Sequence, residues 1–219
     1  MARELKFGRK PARSGEARSL VVFLHGYGAD GADLLGLADP LAPHLPNTVF
    51  VAPDAPERCA ASPFGYQWFP IPWLDGSSEE AARTGLLAAA TDLNAFLDTQ
   101  LQAEGLRPDQ MAVIGFSQGT MMALHVLPRC KDKVAGIVAF SGRLLRPELL
   151  AVEALSKPDV LLVHGDEDQV VPFGDMSIAG QALTDAGFTT FGHVMKGTGH
   201  GIAPDGLSVA LAFLRDRIE

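Results

Sequence analysis

The chain has 219 residues, 47% of them hydrophobic and 20% charged, with a formal net charge of -8. A chain of this length buries a full core without a disulfide or metal staple and is expected to close as one α/β domain over residues 1–219. The acidic balance argues against nucleic acid and anionic membrane surfaces as partners, because both need clustered Lys and Arg.

The N-terminal stretch "MARELKFGRKPARSGEARS" is polar and basic with no apolar run behind it, so no secretory leader is expected. No uninterrupted apolar run reaches the roughly 18 residues of a membrane span. Cys59 and Cys130 lie far apart without C-x-x-C spacing and read as free thiols of a reducing compartment. The cytoplasm is therefore the expected location.

From Ser19 onward, "SLVVFLHG", "NTVFVAP", "QMAVIGF", "KVAGIVAF", "DVLLVHG" and "TTFGHVM" read as strands. Their continuously apolar character suits parallel strands covered on both faces. The longest helix is predicted from Ser77, with Glu80 completing a capping box, to about Gly105 as its C-cap. Further helices are predicted after Ser117, from Gly174 to Ala186, and from Leu207 to the end. Such alternation points to a mostly parallel sheet with helices on both faces, whose ligands bind at the carboxyl ends of the strands. Residues 53–76, rich in proline and aromatics, read as an ordered loop.

In "AVIGFSQGTMM" a serine stands between two glycines where an apolar strand gives way to helix formers. A nucleophilic serine must project from a sharp, strained turn, and glycines two residues before and after relieve the crowding. The helix that follows aims its positive end at a developing oxyanion. Ser117 is accordingly the candidate nucleophile.

A serine needs a base, and the base a carboxylate, in the chain order Ser, Asp or Glu, His. "DVLLVHG" runs into Asp166, Glu167 and Asp168, and "TTFGHVM" runs into "KGTGHGI" with His200. Asp168 with His200 is the preferred pair, Asp166 being the alternative acid. The remaining histidines have structural explanations. His25 and His164 end strands and are expected to bond local backbone, His125 to be a satisfied core residue, His193 to alternate within a strand, and His44 to sit in a turn. His164, Asp166 and Asp168 lack the rest of a Ca²⁺ loop and a second histidine at helical spacing, so no metal is expected.

"FLHGYGADG" also contains a formal G-x-G-x-x-G at Gly26, Gly28 and Gly31, the signature of dinucleotide binding. That reading requires an acidic residue closing the second strand to hold a ribose. Here the strand ends in Ala52-Pro53, and Asp54 arrives behind the proline. The alternative use of these glycines is close approach to the nucleophile, so that the N–H groups of Tyr27 and Gln118 form an oxyanion hole. Ser117, Asp168 and His200 support this hydrolase reading, whereas nothing else supports an oxidoreductase. A binding module on the same fold would normally have lost one of the three.

"FLHGYGADG", "GFSQG", "HGDEDQVVP" and "GTGHGI" together resemble the phospholipase/carboxylesterase family of α/β-hydrolases, which includes the acyl-protein thioesterases, from about Leu20 to the C-terminus. The resemblance implies an α/β-hydrolase fold with no large lid and an activity on carboxylic or thio esters without a cofactor. It implies Ser117 as nucleophile, Asp168 as acid, His200 as base, and the Tyr27 and Gln118 amides as the oxyanion hole. Family members are often dimers, which leaves a homodimer open. Where thioesterase-like members usually carry Trp-Phe-Asp, this chain reads Trp68-Phe69-Pro70 and then Ile71-Pro72-Trp73-Leu74. The more apolar, proline-stiffened loop favours small or medium hydrophobic esters over protein thioesters.

The expected pocket draws on Phe64, Tyr66, Trp68, Phe69, Ile71, Trp73 and Leu74 and on Leu144 and Leu145, with Trp68 and Leu144 as the leading contacts and Phe69 and Trp73 beside them. Some of these aromatics are expected to pin the loop to the body instead. Activity should rise with pH as His200 loses its proton, near an ordinary histidine pKa of about 6.5.

Overall fold

The computed structural model describes residues 2–59 and 61–218. The first half of the chain runs β1 (Phe7–Lys10), β2 (Ser19–Leu24), α1 (Gly31–Leu35), α2 (Ala38–Leu41), β3 (Thr48–Pro53), β4 (Glu57–Arg58), β5 (Tyr66–Gln67), α3 (Pro72–Asp75) and α4 (Glu79–Glu104). The second half runs β6 (Met111–Phe116), α5 (Gln118–Val126), β7 (Gly136–Phe140), α6 (Pro147–Glu153), β8 (Asp159–Gly165), α7 (Gly174–Asp185), β9 (Thr190–Met195) and α8 (Pro204–Ile218).

Seven strands form one sheet in the order β1-β3-β2-β6-β7-β8-β9. All neighbours are parallel except β1, which pairs antiparallel with the edge of β3, Phe7 opposite Pro53. Both faces of the sheet are covered, and so β2, β3 and β7 are buried along their whole length. Side chains alternate between the faces. Leu20, Val22 and Leu24 join a core closed by α4, α5, α6 and α7, whereas Val21 and Phe23 join one closed by α1, α2 and α8. No described helix is long and apolar enough to cross a membrane.

The long helix α4 starts one residue later than the sequence suggests. Ser78, not Ser77, is its N-cap and accepts from the Ala81 amide at 3.1 Å. Ser77 instead donates its backbone N–H to Asp75. Gly105 ends the helix at φ 66°, a left-handed conformation that glycine adopts without penalty. α8 begins at Pro204, three residues ahead of the predicted Leu207, because proline suits the first helical position. Residues 53–76 hold a two-stranded hairpin, β4 with β5, and the single turn α3.

Candidate active site

β6 delivers Ser117 at the carboxyl edge of the sheet with φ 52° and ψ -113°. A non-glycine residue in such a region costs about 1–3 kcal/mol, so the surroundings must hold it there. They do so with several bonds. The Ser117 amide donates to the Phe140 carbonyl at 2.9 Å, and the Met121 amide donates to the Ser117 carbonyl at 3.2 Å. The Thr120 hydroxyl lies 2.8 Å from the Gly115 carbonyl oxygen and 2.7 Å from that of Phe140. Both flanking glycines are required by space. A Cβ on Gly115 would stand 2.5 Å from the Thr120 nitrogen, and one on Gly119 would stand 1.8 Å from the Leu24 oxygen.

The loops after β8 and β9 come together beside this turn. His200 Nδ1 lies 2.7 Å from Asp168 Oδ2, and the His200 ring packs on Phe116 with centroids 4.9 Å apart. Asp168 Oδ1 accepts from the amides of Val170 and Val171 at 2.8 and 2.9 Å. Burial pushes the Asp168 carboxyl up, but the His200 hydrogen bond and the two amides outweigh it and hold the pKa below the usual carboxylate range. An ionised Asp168 keeps the proton of a neutral His200 on Nδ1 and leaves Nε2 as an acceptor. Asp166, the alternative acid, faces elsewhere. It accepts from the Gly197 amide at 2.7 Å and pairs with Lys196 at 3.2 Å, stitching the same two loops together.

The loop after β2 approaches from the other side. A Cβ on Gly26 would lie 3.2 Å from that of Ser117. Tyr27 follows directly. Gln118 is the first residue of α5, so its amide has no partner within the helix. Its side chain is buried and bonded at both ends: Oε1 accepts from the Trp68 amide at 2.9 Å, and Nε2 donates to the Phe69 carbonyl at 2.8 Å. Asp54, the late acid of the dinucleotide signature, accepts from the Gly31 amide at 2.9 Å at the start of α1.

Ser117 and His200 line one cleft of about 150 Å³, together with Tyr27, and its walls are apolar: Ile71, Trp73, Leu74, Met121, Val170 and Val171. Arg143 is the charged member of this lining, paired with Asp175 at 2.6 Å and lying 5.4 Å from the Trp73 ring centre. A wider hollow of about 480 Å³ beside α6 contains neither Ser117 nor His200.

Of the residues expected in the pocket, Ile71, Trp73 and Leu74 line the cleft. Trp68 does not, because its indole is fully buried and donates from Nε1 to the His25 carbonyl at 3.0 Å. Phe69 and Leu144 are buried in the core as well. Arg143, Met121, Val170 and Val171 were not anticipated. The Val-Val pair one residue beyond the acidic run, in "DEDQVV", was the available signal for two of them.

Four of the other histidines are placed as follows. His25 and His164 bond local backbone, and His193 pairs with Asp205 at 2.7 Å. His125 is buried on α5, but its Nδ1 has no partner, so it is not the satisfied core residue expected from its apolar surroundings. Among the described residues, no three His, Cys, Asp or Glu side chains gather as a metal ion requires.

The chain matches the model of the phospholipase/carboxylesterase family over residues 11–218. Acyl-protein thioesterase 1 of Saccharomyces cerevisiae is 31% identical to it, across 94% of this chain and 96% of that protein. Esterase YpfH of Escherichia coli is 26% identical across 91% of this chain and 83% of that protein. The crystal structure of esterase PE8 superposes with a TM-score of 0.93 at 45% identity, covering 98% of this chain and 99% of that one. The architecture shared with these proteins is the α/β-hydrolase fold without a large lid.

Proposed function

We propose that this chain, which belongs to the phospholipase/carboxylesterase family, is a serine carboxylesterase acting on small to medium hydrophobic carboxylic esters. Membership makes it a hydrolase of the esterase and thioesterase class. The finer reading rests above all on one observation: Ser117 on its strained turn shares a cleft with His200, whose Nδ1 is held by Asp168.

In this reading Ser117 Oγ attacks the ester carbonyl while His200 Nε2 takes its proton. Asp168 holds the imidazole tautomer and stabilises the cation that forms. The amides of Tyr27 and Gln118 receive the oxyanion, each contributing about 3 kcal/mol to lowering the barrier. His200 then gives its proton to the leaving alcohol, and water repeats the attack on the acyl-enzyme. No step calls for a cofactor.

The small apolar cleft supports substrates of modest length, and Trp73 and Leu74 at its mouth offer a surface for an acyl chain to leave along. The 31% identity to a protein named acyl-protein thioesterase 1 favours a second reading, in which the acyl chain is long and the leaving group a protein thiol. A panel of p-nitrophenyl esters of graded chain length, run beside an S-palmitoyl peptide, separates the two. The carboxylesterase reading expects turnover to peak at short or medium acyl chains, and a clear preference for the thioester would overturn it.

A further inference from the structure

His25 ends the loop side of β2, directly before Gly26 and Tyr27, and its ring is fully buried. Both ring nitrogens are committed. Nδ1 lies 2.7 Å from the Gly26 carbonyl oxygen, and Nε2 accepts the Ala55 amide at 2.9 Å. A backbone amide can only donate, so Nε2 carries the lone pair. A carbonyl oxygen can only accept, so Nδ1 carries the proton. The two partners therefore fix one neutral tautomer.

The Gly26 carbonyl and the Tyr27 amide are two ends of one peptide group. That group is planar and trans, so its oxygen and its hydrogen point in opposite directions. Fixing the oxygen aims the hydrogen. The Gly26 oxygen is held by His25 Nδ1–H and also accepts from the Ala29 amide at 3.3 Å. A hydrogen bond into the carbonyl also polarises the peptide and strengthens its N–H as a donor. Gly26 itself packs against Ser117, close enough that an added Cβ would come within 3.2 Å of the serine Cβ.

We propose that His25 is a positioning residue of the oxyanion hole, holding the Gly26–Tyr27 peptide so that the Tyr27 N–H faces the charge that develops at the carbonyl attacked by Ser117. The inference rests on the serine-esterase reading above. His25 is tied in turn to the second donor of the hole: its carbonyl accepts from Trp68 Nε1, and the Trp68 amide donates to the Gln118 side chain.

Two substitutions separate this from a merely structural histidine. In His25→Gln the amide oxygen reaches the place of Nε2 and can still accept from Ala55, but nothing stands at Nδ1. In His25→Asn the amide nitrogen stands at the place of Nδ1 and can still donate to Gly26, while the Ala55 amide loses its acceptor. Each is assayed with a short p-nitrophenyl ester for kcat and KM, with a trifluoromethyl ketone for inhibition, and by thermal unfolding. His25→Gln is expected to lower kcat about tenfold to a hundredfold with KM little changed, and to weaken the ketone by a similar factor. His25→Asn is expected to recover most of kcat despite a lower Tm.

Wild-type hydrolysis that disappears in Ser117→Ala is the baseline. Its absence defeats the serine-esterase reading itself. With that baseline in place, a kcat for His25→Gln equal to wild type, or losses that track Tm in both variants, overturns the assignment to His25 alone. Should either variant fail to fold, ¹⁵N spectra of wild-type histidine rings decide. The account expects a His25 Nδ1–H proton that shifts when a boronic acid binds Ser117, and an unshifted proton contradicts it.

Discussion

The backbone amide of Trp68 donates to Gln118 Oε1 at 2.9 Å, joining the aromatic loop to the first turn of the helix that follows Ser117. The contact spans 50 positions of sequence and leaves the Trp68 side chain fully buried. Trp73, five residues on, is 62% exposed at the mouth of the cleft. The two tryptophans should therefore respond differently to truncation. Trp68→Ala is expected to cost about 3–5 kcal/mol of stability. Trp73→Ala should leave stability within about 0.5 kcal/mol and shift the preferred acyl-chain length. Urea unfolding and the ester panel together check both halves.

Gly119 passes so close to the Leu24 and His25 carbonyls that a methyl group has no room, and the obstructing atoms are backbone rather than a flexible side chain. Gly119→Ala should cost about 3 kcal/mol or abolish soluble expression. Gly174, with nothing near its Cβ position, is the control: alanine there should change the midpoint of unfolding little.

The two aspartates after β8 make distinct predictions. Asp168→Asn removes the carboxylate that fixes the His200 tautomer, and kcat should fall by about 10³–10⁴. Asp166→Asn loosens only the Gly197 and Lys196 contacts, so kcat should stay within about tenfold of wild type. Comparable losses in both would mean that the loop as a whole, and not Asp168, carries the effect.

His125 links stability to pH. Burial, helped by Arg129, pushes its pKa down to about 4. Unfolding restores an ordinary value of about 6.5, so between these limits the unfolded chain binds the extra proton. Stability is then fully present above pH 6.5 and drains as pH falls toward 4, by at most about 1.4 kcal/mol per unit. His125→Met should flatten that slope in urea titrations at pH 5 and 7. An unchanged slope would place its origin in other groups. Asp168, whose folded pKa is lowered, adds its own loss only below the ordinary carboxylate pKa of about 4.

Strands β2, β3 and β6 to β8 fall on the apolar runs because strands covered on both faces leave no other composition open to them, whereas β9 is a half-exposed edge strand. β1 carries no strand signal because "FGRK" is a half-exposed edge strand with two cationic residues, the composition that keeps an edge from pairing with another chain. The hairpin β4–β5, with two residues in each strand, is too short to show a period. Ser117, Asp168 and His200, which the structure brings to one edge of the sheet, are legible as candidates because each follows the end of an apolar strand in a short polar or glycine-flanked motif. The pocket walls were legible only in part, through Ile71, Trp73 and Leu74. Loop side chains follow no period, so Leu144 was expected in the cleft where its neighbour Arg143 stands. Nothing local distinguishes Trp68 from Trp73. The difference lies in the Gln118 side chain, which meets the loop only once the sheet has formed.

The central claim, an activated serine at position 117, is tested most directly by labelling with a fluorophosphonate and weighing the intact protein beside Ser117→Ala. A single stoichiometric adduct on wild type, absent from the variant, is the predicted result. A folded wild type that stays unmodified, or a Ser117→Ala variant that labels equally, would contradict the account.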